Sequence, residues 1–188
     1  HAKGHEAKRP GWHFQRNEDG PAVRDFRGSF SGHERAVLFA KTGGRFVDVA
    51  GPAGVALTED GRAAVPFDLD GDGAQDLAVL SLQGLKVLHN RAATGHWIGL
   101  RLRATQGEPH ALGAEVIVRG ASGAQLDRVR LTAGFHSQVA RRLHFGLGAD
   151  TEVTVDIRWP SGAAQTVGPL TADARYEITE GAGATALP

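Results

Sequence analysis

Short apolar runs broken by glycine recur along this chain, and they predict strands rather than helices. Ala36–Ala40, Arg45–Ala50, Ala63–Phe67, Asp76–Leu80 and Leu85–His89 read as strands in the first half. In the second half the alternation is cleaner. Ile98, Leu100 and Leu102 point one way and Arg101 and Arg103 the other, as successive residues of a strand must. Further strands are expected at 115–119, 127–132, 143–147, 153–159 and 176–179. No segment carries a sustained period of 3.6, and glycines punctuate the strand ends, so the expected class is all-β.

Three parts are expected. Residues 1–27 read as an extended segment, which Trp12 and Phe14 could anchor. Residues 28–95 read as a single propeller-like blade, and 96–188 as a C-terminal β-sandwich or barrel on which the blade packs. An isolated blade has open edges and an apolar face. One hydrophobic core continuous through both halves is therefore expected.

The 188 residues are 41% hydrophobic and 22% charged, with 21 basic and 21 acidic residues. A balanced charge gives no basic excess for nucleic acid. No apolar run reaches the ~20 residues of a membrane-spanning helix. Cysteine is absent, which excludes disulfides and thiolate chemistry. Methionine is absent too, so a processed or trimmed chain is expected, consistent with a removed secretory signal.

The chemistry is concentrated in Asp68-Leu-Asp70-Gly-Asp72-Gly-Ala74-Gln-Asp76. Four carboxylates this close repel one another unless a cation neutralises them. Gly71 and Gly73 permit the tight curl that such a cage needs. Asp68, Asp70, Asp72 and Asp76, with the carbonyl of Ala74, form the expected ligand set for calcium, an ion suited to flexible oxygen cages. Position twelve from Asp68 is Val79, so this is not an EF-hand. The competing reading is a solvated acidic turn.

Phe67–Leu77 resembles the FG-GAP or VCBS repeat, the calcium-loop unit of integrin-type propellers. The second half resembles the ASPIC/UnbV domain through His96–Arg103, Leu112–Val116, Gly134–Gln138, Arg142–Gly148 and Ile157–Gly162. Ser31–Arg35 and Asp60–Arg62 fit the same group. Together the arrangement resembles the cartilage acidic protein 1 family. That resemblance implies a secreted or periplasmic calcium-binding module engaged in adhesion or matrix contacts. The family's members usually carry many blades, whereas this chain has room for about one.

A non-catalytic interaction module is thus the principal expectation, with a glycan or surface protein as partner and room for an oligomer. The alternative is a copper-binding enzyme or redox accessory protein, using the His1 amine and imidazole with His5 and His13. His136 and Ser137 lack a nucleophile elbow, so no catalytic residue is assigned. His144, Trp97 and Trp159 read as packed strand residues. Arg141 and Arg142 read as a solvated strand end or an anion contact.

Overall fold

The computed structural model describes residues 33–91, 95–132, 134 and 137–188, together with two short strands nearer the amino terminus. The described residues form strands and turns with no helix, as the alternation predicted. They fall into two compact units. One comprises residues 1–62 and 79–86, the other 63–78 and 87–188.

In the first unit, β1 (Trp12–Gln15) pairs antiparallel with β2 (Val23–Phe26), inside the segment expected to be extended. Strands β3 (Phe39–Thr42) and β4 (Arg45–Asp48) form a hairpin in which Thr42 faces Arg45. Its two-residue turn is Gly43-Gly44, with φ of 57° and 78°. Two successive positive φ values are what a tight hairpin of this twist requires. A three-stranded sheet follows, in the order β5 (Gly61–Phe67), β6 (Asp76–Ser81), β7 (Gly84–Leu88). Its residues are distributed over both units. The region read as one blade therefore holds this sheet and the β3–β4 hairpin.

The second unit is dominated by two four-stranded sheets. One has the order β10 (Gly123–Arg128), β9 (Glu115–Gly120), β12 (Glu152–Arg158), β13 (Ala164–Thr171). The other has the order β11 (Leu143–Gly148), β8 (His96–Arg103), β14 (Ala174–Thr179), β15 (Ala184–Leu187). Their apolar faces form a shared core. Ile98, Leu100 and Leu102 of β8 meet Val116, Val118, Val155 and Ile157 there, and Ile98, Val116, Val155 and Ile178 are fully buried. Each such side chain contributes about 1.5–3 kcal/mol by leaving water. The sheets stay open, so the sandwich is observed and the barrel alternative is not.

The buried cluster draws all its members from residues 98–178. Where one core through both halves was expected, the core cluster among the described residues lies in the second half. Upstream, Phe39, Phe46 and Leu85 are exposed at 59%, 72% and 65%.

Two buried polar groups are matched inside the second unit. Trp159 Nε1 donates to Gln165 Oε1 at 3.0 Å. The buried Glu180 carboxylate accepts from the Thr105 and Gln106 amides at 2.8 and 3.2 Å and from the Ser161 hydroxyl. These donors, Ser161 foremost, favour the ionised form and hold its pKa below the ordinary carboxyl range.

Candidate metal centre

The acidic loop joins β5 to β6, and its aspartates perform different jobs. Asp76 is 1% exposed. Its Oδ2 accepts the Leu69 amide at 3.0 Å, and its Oδ1 accepts the Asn90 amide at 2.7 Å. The amides of Asn90 and Leu69 hold its carboxyl below the usual range, against the opposing effect of burial. Asp68 accepts the Gly71 amide on Oδ1 at 2.7 Å and the Gly73 amide on Oδ2 at 3.1 Å. Arg175 also donates to that Oδ2, at 2.6 Å. Asp72 accepts the Ala74 amide at 2.7 Å, and Asp70 accepts the Asp72 amide at 3.3 Å. Gly71 and Gly73 take φ of 83° and 86°, the left-handed turns anticipated for this curl.

Asp70 and Asp72 converge with His89, their ligand atoms all within 4.8 Å of one another. His89 Nε2 lies 3.3 Å from Asp70 Oδ2. All three side chains are exposed. A carboxylate oxygen that accepts one amide keeps a second lone-pair direction, so Asp70 and Asp72 retain capacity for a cation. Asp68 and Asp76 are more heavily committed, one to two amides and a guanidinium, the other to two amides. Ala74 is 7% exposed and donates its amide within the loop.

The loop rests on a stack of side chains from distant strands. A Cβ at Gly73 would stand 1.9 Å from Trp97 Nε1, so the glycine lets the backbone lie directly against the indole. Trp97 stacks on His144 with centroids 5.7 Å apart and planes 14° apart. The Arg175 guanidinium lies 5.1 Å from the Trp97 ring centroid, within cation–π range. Register explains its path: Arg175 of β14 pairs with Gly99 of β8. A Cβ at Gly99 would meet Arg175 Cγ at 3.1 Å, so glycine leaves room for the arginine to cross toward Asp68. Burial lowers the basicity of His144 where it packs.

His89, Trp97 and Arg175 were not assigned to the site from sequence. His89 ends an apolar run and could have been noticed by its nearness to the loop. Arg175, 107 residues from Asp68, carried no such signal. Of the histidines proposed for copper, His1 and His5 lie outside the described residues. His13 is described only as part of β1. His136 also lies outside them.

Residues 104–185 match the ASPIC and UnbV family model. The second half of the chain thus carries the ASPIC/UnbV domain that its motifs resembled. Cartilage acidic protein 1 of Mus musculus is 32% identical over 146 residues, which are 73% of this chain and 22% of that protein. The Homo sapiens protein of the same name matches with the same identity and coverage. The chain therefore spans 22% of the length of these curated relatives.

Proposed function

We propose that this chain is a secreted or periplasmic, non-catalytic binding module whose FG-GAP-type loop holds calcium. The observation that carries the reading is the convergence of Asp70 and Asp72 on a loop curled by Gly71 and Gly73. Similarity to cartilage acidic protein 1 supports an extracellular setting, and a glycan or surface protein is the partner this reading proposes. Calcium would neutralise the paired carboxylates, and Asp68 and Asp76 would brace the loop around it.

His89 favours a second reading at the same place. A nitrogen donor beside two carboxylates suits zinc or manganese better than calcium. Thermal melting of the full chain in calcium, zinc, manganese and chelator separates the two. A ligand bound only by the folded state stabilises it by about 2.7 kcal/mol at a hundredfold excess over Kd. The calcium reading expects a rise in Tm that Asp70→Ala and Asp72→Ala abolish and His89→Ala leaves intact. Loss of the rise in His89→Ala would transfer the site to zinc or manganese. Melting unchanged by every cation would overturn both. A parallel titration with Cu(II) tests the amino-terminal alternative, because one residue added before His1 removes the free amine that tight copper binding there requires.

A further inference from the structure

A cavity of about 390 Å³ opens beside the stack that supports the loop, with all its walls in the second unit. Its charge is one-sided. Arg101, Arg128, Arg130, Arg141, Arg142 and Arg175 line it, against Asp68 and Asp127. Several of these arginines are already matched. Arg128 pairs with Glu115 at 2.5 Å, Arg130 with Asp127, and Arg101 with Glu177 at 3.4 Å. Arg175 is held by Asp68. Arg141 lies in the field of Glu108. The Arg142 side chain is exposed and has no ion pair among the described residues.

Beside Gln75 and His144, the rest of the wall is largely apolar or aromatic, including Leu100, Val129, Leu143 and Tyr176. The Tyr176 hydroxyl donates to the Thr171 carbonyl at 3.0 Å, which fixes the ring. The volume lies in the range of small-molecule sites and far exceeds that of a single inorganic anion. Guanidinium groups match planar oxyanions in a forked geometry, and an aromatic and aliphatic wall suits the C–H face of a ring.

We propose that this cleft binds an acidic saccharide unit, a uronate or a sulfated sugar, with Arg142 and Arg175 as its oxyanion contacts. The proposal rests on the binding-module reading for its notion of a partner, and it supplies that partner's chemistry. It does not require an ion in the loop. Arg142 meets the negative group unopposed. Arg175 contributes from a position fixed by Asp68 and Trp97.

Calorimetric titration of the full chain tests it, with glucuronate, N-acetylglucosamine 6-sulfate, glucose and inorganic sulfate as probes. Each titration is run in calcium and again in chelator. Binding of either sugar acid with glucose silent is the expected result. Arg142→Gln is expected to weaken it about tenfold, and raised salt to weaken it further. Arg142 lies outside the buried core, so its variant should melt like the parent. Equal binding of glucose, an affinity untouched in Arg142→Gln, or no binding of either acid would overturn the cleft. Inorganic sulfate binding as tightly as the sugar acids would overturn the saccharide assignment. Failure of the cation reading shows separately, as melting indifferent to calcium.

Discussion

Gly73→Ala gives a sharp test of how the acidic loop is seated. Gly71 and Gly73 have nearly the same backbone angle, φ of 83° and 86°. An alanine at either must hold a left-handed conformation, at about 1–2 kcal/mol. Their surroundings differ. A Cβ at Gly71 meets nothing within 4 Å, whereas at Gly73 it would stand 1.9 Å from Trp97 Nε1 and 2.2 Å from two ring carbons. The indole cannot simply yield, because Arg175 and His144 pack on it. Forced repacking of this kind costs roughly 1–3 kcal/mol beyond the backbone strain. For a chain of this size each kcal/mol lowers Tm by roughly 2–4 °C. Gly73→Ala should therefore melt on the order of 5 °C below Gly71→Ala when both are followed by circular dichroism. In a Trp97→Ala background the extra cost should vanish and the two glycine substitutions become equivalent. Coincident melting curves for Gly71→Ala and Gly73→Ala in the parent background would refute the seating. So would a Gly73 penalty that persists without Trp97.

The buried Ile178 should be worth about 2–5 kcal/mol when truncated to alanine, measured by urea denaturation; a loss under 1 kcal/mol would contradict the core assignment. The folded Asp76 carboxyl is more acidic than its ordinary value of 3.8. A depressed folded value means a stabilising contribution that is complete above that ordinary value and is lost as pH falls through the folded one. The Tm gap between the parent and Asp76→Asn should accordingly narrow below about pH 4, and a constant gap down to pH 2 would contradict the argument.

Much of the sandwich was legible because its strands alternate. The runs Ile98-Gly-Leu100-Arg-Leu102 and Val153-Thr-Val155-Asp-Ile157 place every second residue in the core. Strand β13 escaped because Gly168-Pro169 interrupts it. Proline is tolerated there because β13 lies at a sheet edge, where a missing donor disrupts no ladder on the open side. Strand β15 escaped because its alanines carry little apolar signal. Strand β10 was expected at 127–132 but begins at Gly123. The two-residue turn at Ala121-Ser122 starts it early, and its Leu126 is exposed on an edge strand. In the loop, spacing made the four aspartates equivalent. Burial and amide bonding distinguish Asp76, and an arginine from a distant strand distinguishes Asp68. Such distinctions depend on which strands become neighbours, and local pattern does not encode that.

The parallel pairing of β8 with β14 has a consequence for the order in which the chain acquires structure. Asp173, just before β14, accepts the amide of Trp97, 76 positions earlier in the chain. Strand β14 is an interior member of its sheet, with β15 beyond it. While the chain emerges from the ribosome, β8 must wait with one edge unpaired until β14 is made. Loop closure over that distance precedes any reward from pairing, which makes this step slow and leaves the waiting edge open to other chains. A truncation before residue 174 would remove two adjacent strands at once and leave their sheet with only β11 and β8. Quality control acting during synthesis would therefore meet this domain in an unfinished state until β14 and β15 have emerged.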